Sequence, residues 1–174
     1  MAIDERTDPE LVRACLAGRE SAYAELVRRH QDSVFGLAVS MTRNREDAED
    51  MAQEAFIRAY SKLDQYNPDL AFRPWILRIC SNRTKNLFRS RVNRRKVEEK
   101  HLNEEAVLQD AVDPDFQEVE DALGTLLSKL GAPLRLKYME NLSYEEISAV
   151  LGIGVSAAKM RVMRARKQLQ EILT

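Results

Sequence analysis

Residues 143–169 read SYEEISAVLGIGVSAAKMRVMRARKQL. Glu146 follows Ser143 at the three-residue spacing of a capping box, which opens a helix. Ile147, Val150 and Leu151 give that helix an apolar stripe, and Gly152 supplies the left-handed residue that ends it. In the next helix Val155, Ala158, Val162, Ala165, Leu169 and Ile172 recur at spacings of 3, 4, 3, 4 and 3 and predict its buried face. Ser156, Lys159, Met160, Met163, Arg164 and Lys167 then fall on or near the free face. That second helix carries five basic residues and no acid as far as Leu169. The pattern matches a helix-turn-helix whose recognition helix enters a major groove. It equally fits a helical hairpin with a solvated basic face, so the choice rests on the remaining sequence.

Moving outward, the 174-residue chain lacks alternating β-branched runs and is rich in 3.6-residue periodicity, so the fold class is all-α. Its formal net charge of −1 conceals a strong asymmetry. Residues 73–96 hold nine Lys or Arg and no acid, whereas residues 98–121 hold ten acids against Lys100 alone. Basic, acidic and basic blocks in that order suit two nucleic-acid contacts separated by a solvated spacer. Cys15 and Cys80 lie far apart in helical patterns and read as small core hydrophobes of a reducing compartment. No secretory leader is expected, and no apolar run approaches the roughly 20 residues of a membrane helix. The reading is a cytoplasmic protein without membrane insertion.

Four helices are predicted before the acidic block. Asp8-Pro9 starts the first, with Leu11, Val12, Cys15 and Leu16 inward and Gly18 as its stop. The second runs from about Ser21 to Met41 and buries Leu26, Val27, Val34, Ala38 and Met41. The third begins near Arg45, with Ala48, Met51, Ala52, Ala55, Phe56, Ala59, Tyr60 and Leu63 on one face. After the turn-rich Asp64–Asp69, a long helix from about Arg73 places Trp75, Ile76, Ile79 and Cys80 in the core and then turns basic. The expected organisation is two small helical domains, residues 1–96 and 116–174, joined by an acidic flexible linker at 97–115. Within the second domain Phe116–Leu130 and a short helix at about Leu134–Met139 precede the helix-turn-helix.

The chemistry-bearing residues cluster on the third and fourth helices. Asp47, Glu49, Asp50, Gln53 and Glu54 lie away from the apolar stripe, as solvated surface or as a docking face for a basic helix. Tyr66, Phe72 and Trp75 flank a loop, and Asn82, Arg83, Lys85, Asn86 and Arg89 follow on the helix. Aromatic faces beside cations suit single-stranded DNA, although Trp75 also reads as the core anchor of the bundle. The five cations of Arg89–Lys96 repel one another, a cost that a polyanion relieves. His30 and His101 have no metal-ligand spacing with Cys, Asp or Glu, and no nucleophile stands beside a base. His30 is expected at a helix surface. No cofactor, no metal and no enzymatic activity are expected.

AEDMAQEAF (Ala48–Phe56), FRPWILRICSN (Phe72–Asn82) with its basic tail, and LSYEEISAVLGIGVSAAKMRVMRARKQL together resemble a bacterial RNA polymerase sigma factor. The resemblance is to the extracytoplasmic-function (ECF) group of the sigma-70 family and spans nearly the whole chain. It implies an alternative sigma factor with a four-helix region 2 and a helix-turn-helix region 4, directing promoter-specific transcription initiation, as in a stress response. It implies that Asp47, Glu49, Asp50, Gln53 and Glu54 dock on core RNA polymerase. It further implies that Tyr66, Asn67, Phe72, Arg73, Trp75, Asn82, Arg83, Asn86 and Arg89 melt and read the −10 element of promoter DNA. Ser156, Lys159, Met160, Met163, Arg164 and Arg166 would meet the −35 element, and an anti-sigma factor would be a further partner. The chain departs from the family pattern at Asn86, Leu127, Gly131, Ser148, Ala157 and Ala158, where it lacks an aspartate, a proline, an arginine, an alanine, a threonine and a valine. Gly131-Ala132-Pro133 reads as a turn. Two rivals are a stand-alone helix-turn-helix regulator, which leaves residues 72–96 unexplained, and a sigma-like decoy without DNA binding.

Overall fold

A computed structural model describes residues 5–102 and 130–173, and these residues form helices throughout. In chain order they are α1 (Asp8–Leu16), α2 (Glu20–Thr42), α3 (Arg45–Ser61), α4 (Phe72–Leu102), α5 (130–138), α6 (Tyr144–Leu151) and α7 (Val155–Leu173). A 3-10 turn at Leu63–Gln65 links α3 to the loop before α4. No helix of the described residues is long and apolar enough to cross a membrane. The expected segment Phe116–Leu130 lies outside them up to its last residue, as does the linker beyond Leu102.

Local signals set the helix ends. Thr7 and Glu10 form a reciprocal capping box that starts α1, with Thr7 N to Glu10 Oε2 at 2.6 Å and Pro9 in the first turn. Asn44 accepts the Asp47 amide at 3.0 Å and caps α3. The preceding Arg43, at φ 55°, makes the left-handed reversal out of α2. Fully buried Leu11, Leu26, Val34, Leu37, Ala48, Ala55, Ile76 and Leu77 knit α1–α4 into a bundle, each large aliphatic contributing roughly 1.5–3 kcal/mol by leaving water. Burial pushes the Cys80 thiol up to about 12, and Cys15 is buried and unpaired as well.

Five expectations need correction. Tyr60, expected on the buried face of α3, is 50% exposed. Leu16 is 55% exposed, being the last residue of α1. Leu169 is 45% exposed, and the side chain of Ile172, expected on the same seam, lies outside the described residues. Residues 131–133 are helical, not a turn, with Pro133 buried inside α5. His30 is only 4% exposed, because Nε2 meets Asp8 Oδ2 at 2.8 Å beneath the Phe72 ring. An apolar periodicity does not show a buried hydrogen bond to a residue distant in sequence.

Helices α5–α7 do not stand apart from the bundle. Leu136, Leu142, Ile147, Val150, Leu151 and Ala158 join the same continuous apolar cluster as Phe72, Ile76 and Leu77. Helix α6 packs directly on α4.

Candidate nucleic-acid and partner interfaces

In the turn between α6 and α7, Ser143 Oγ accepts the Glu146 amide at 3.1 Å, and the Glu146 carboxylate accepts the Ser143 amide at 2.7 Å. Gly152 closes the helix at φ 60° and ψ 44°. The Ser148 hydroxyl donates to Ile153 O at 2.5 Å, so the serine at this crossing tightens the turn. Ile147, Val150, Ala158 and Val162 hold the two helices together. Ser156, Lys159, Met160, Met163, Arg164, Arg166 and Lys167 are all exposed on α7. The Tyr144 ring carries Lys137 Nζ at 4.9 Å and Lys159 Nζ at 5.6 Å from its centroid, which props Lys159 toward the free face.

The chain matches the family models for sigma-70 region 2 over residues 26–94 and sigma-70 region 4 over residues 116–169. It is 31% identical to the RNA polymerase sigma-H factor of Pseudomonas aeruginosa across 98% of this chain and 96% of that protein. This chain belongs to the ECF sigma factors of the sigma-70 family. The ECF RNA polymerase sigma factor SigE of Mycolicibacterium smegmatis is 36% identical over 163 residues, and the chain spans 62% of that longer relative. The ECF sigma-E factor of Escherichia coli K12 is 31% identical over 95% of this chain and 94% of its own. Among solved structures, CnrH in complex with the cytosolic domain of CnrY aligns at a TM-score of 0.62. It is 27% identical and covers 95% of this chain and 96% of that one. The sigma factor RpoE of Bartonella quintana, crystallised with the anti-sigma factor NepR, aligns at 0.62 with 25% identity, covering 87% of this chain and 96% of that one.

Within region 2 of this sigma factor the acidic residues of α3 divide. Asp47 accepts Arg91 Nη1 and Nη2 at 2.7 and 2.6 Å, and Glu54 accepts Arg83 Nε at 2.7 Å, so both carboxylates face α4. Glu49 pairs with Arg45 of its own helix at 2.9 Å. Asp50 and Gln53 are exposed, and Asp50 has no ion pair among the described residues. Gln53 stands at the rim of an apolar groove of about 630 Å³ between α2 and α3, lined by Tyr23, Ala24, Val27, Phe56, Ile57 and Tyr60. Ile57 is 62% exposed. Periodicity could not reveal this groove, because it places Tyr60 in the core and says nothing of how α2 and α3 diverge.

The residues assigned to the −10 element also separate. Tyr66 and Phe72 are core: their rings meet each other at 5.4 Å and Trp75 at 5.3 and 5.4 Å, leaving no open face for a base. Their role here is to shape the loop, since the Tyr66 hydroxyl donates to Leu70 O while Asn67 Oδ1 accepts the Asp69 amide at 2.9 Å. Trp75 is half-buried. Arg83 turns away toward Glu54. Asn67, Arg73, Asn82, Asn86 and Arg89 are exposed, and Trp75, Asn82 and Arg89 repeat at seven-residue spacing along one side of α4. Lys85, on the same side, donates to Leu151 O at the end of α6. Burial and the neighbouring Arg89, Arg161 and Arg78 charges hold its ammonium below the usual lysine range.

Among the described residues no group of three His, Cys, Asp or Glu is placed to hold a metal. His30 and Asp8 instead border a cavity of about 330 Å³ lined by Leu70–Pro74 on one side and Leu142 and Glu146 on the other.

Proposed function

We propose that this sigma factor binds core RNA polymerase in the cytoplasm and directs initiation at promoters with a −10 and a −35 element. The organisation proposed is region 2 within residues 1–96, an acidic tether over 97–115 and region 4 within 116–174. Asp50 and Gln53, with the apolar groove beside them, suit a basic amphipathic helix of the polymerase, and Glu49 flanks them. Asp47 and Glu54 join that contact by rigidifying α3 against α4. Asn67, Arg73, Asn82, Asn86 and Arg89 meet the −10 strand, with Trp75 at its edge. Tyr66, Phe72 and Arg83 hold that surface in shape.

The recognition helix carries the reading: Ser156, Lys159, Met160, Met163, Arg164 and Arg166 are exposed on α7 and disposed for a major groove, and the first acid of the helix, Glu171, comes after them and pairs with Lys167 at 3.8 Å. Cations there hold phosphates, and groove-facing side chains read base edges. The solved Bartonella quintana relative with its bound anti-sigma factor supports the same kind of regulator for this protein. In vitro transcription with core polymerase on genomic fragments tests the proposal: discrete transcripts are expected only when the chain is added. Tight duplex binding by the chain alone, with no transcript, would favour a stand-alone regulator.

A further inference from the structure

Lys85 is placed unlike the other lysines whose side chains the structure describes. Lys62, Lys159 and Lys167 are exposed, and Lys137 lies against the Tyr144 ring. Lys85 is half-buried at the seam of α4 and α6, where its Nζ donates to Leu151 O, the last carbonyl of α6. Gly152 follows that carbonyl and has no side chain to cover the nitrogen; even an added methyl would stand 3.5 Å from it.

The charges that act on Lys85 are guanidiniums. Arg78 and Arg89 share its side of α4, two turns before it and one turn after, within about 40° around the helix axis. Arg161 approaches from α7. None of the three makes an ion pair among the described residues, whereas Arg83 and Arg91 of the same helix meet Glu54 and Asp47. Burial first, and then these three charges, hold the Lys85 ammonium below the usual lysine range and raise its share of free amine. A lysine desolvated beside other cations is an activated nucleophile. Its contact with Leu151 O leaves the lone pair unused, because a neutral amine keeps N–H groups to donate. Unpaired guanidiniums around such an amine suit an electrophile that carries phosphate, whose oxygens they bind in pairs.

We propose that Lys85 is an acylation site supplied by a small acyl phosphate, whose phosphate the Arg78, Arg89 and Arg161 guanidiniums attract. The ammonium first gives a proton to solvent. The free amine then attacks the carbonyl carbon, an N–C bond forms, the bond from that carbon to the phosphate oxygen breaks, and inorganic phosphate leaves with the second proton of the nitrogen. No oxidant or reductant takes part. The product is a neutral amide, so one cation is lost from the side of α4 that carries Asn82 and Arg89. A weaker hold on the promoter strand follows from the −10 reading proposed above; the modification itself does not depend on it.

The test incubates the full chain with acetyl phosphate and, separately, with uncharged acetic anhydride. Peptide mass spectrometry then gives the rate at each lysine, beside a urea-unfolded control. With acetyl phosphate, Lys85 should react at least about threefold faster than Lys62, Lys159 and Lys167, and unfolding should remove the difference. With the anhydride the preference should shrink. Arg161→Gln, checked for an unchanged melting transition, should slow Lys85 with acetyl phosphate and leave Lys62 as it was. If that variant does not fold, inorganic phosphate added to the parent replaces it and should slow Lys85 selectively. A Lys85 rate no higher than at the exposed lysines, an equal preference with both reagents, or no selective slowing each overturns the site. A failed transcription assay would remove the sigma reading and leave this result standing.

Discussion

Glu54 on α3 accepts Nε and a terminal guanidinium nitrogen of Arg83 on α4, with the Nε–Oε2 distance at 2.7 Å. The helix proposed to meet the polymerase is thereby tied to the helix proposed to meet DNA, and Asp47 with Arg91 repeats the link. Two carboxylates that look alike in sequence, Asp50 and Glu54, should therefore behave differently.

Asp50→Lys should weaken binding to core polymerase by about 1 kcal/mol, roughly fivefold, with the melting temperature unchanged. Glu54→Lys should lower thermal stability by about 1 kcal/mol, because it sets a cation against Arg83 in a partly exposed pair. Calorimetry beside a polymerase-binding titration separates the two. Equal loss of stability in both variants would show that α3 has no split face.

Arg164→Ala should reduce binding of the polymerase complex to −35 duplex by about 1–3 kcal/mol if the side chain reads a base, and by less, uniformly across sequences, if it holds a phosphate. A salt titration on two duplexes distinguishes these outcomes. No loss on either duplex would mean that α7 presents another face to DNA.

Gly152→Ala should destabilise region 4 by about 1–2 kcal/mol, since φ is +60° and a side chain there is strained. The added methyl would also stand 3.5 Å from Lys85 Nζ, in ordinary contact, so backbone strain is the dominant cost. Chemical denaturation of the parent and the variant measures it, and an unchanged midpoint would refute the left-handed cap.

Asp8 lies below the ordinary carboxylate range, chiefly through its hydrogen bond with His30 and then through Arg29, against opposing burial. A carboxylate with a depressed folded-state pKa contributes stability above its unfolded value, near 4, and loses that contribution as pH falls through the lower folded value. The parent should therefore exceed Asp8→Asn in urea midpoint at about pH 5, and the gap should close below about pH 4. A gap that persists at pH 2 would mean that the pair acts through packing alone.

Helix type and the exposed face of α7 were legible because they depend on local signals: the Ser143–Glu146 box, the glycine at 152 and the unbroken spacing of Val155, Ala158, Val162 and Ala165. Long-range pairing was not. His30 read as a surface residue because its partner Asp8 lies twenty-two positions earlier, and Arg83 read as a DNA cation because Glu54 belongs to another helix. Tyr66 and Phe72 have the composition of a stacking platform, yet burial beside His30 and Trp75 gives them a different task. Gly36 was the one unheeded signal: a mid-helix glycine without a turn marks a close approach by something distant in sequence, here the Arg135 guanidinium.

The two thiols, Cys15 and Cys80, sit inside the region 2 bundle with their protons held on by burial. A maleimide dye should therefore ignore the native fold and report only breathing of that bundle. Surface cysteines placed on α4 and α6 can then carry spectroscopic probes without background labelling, so the chain is ready for single-molecule work on its own motions.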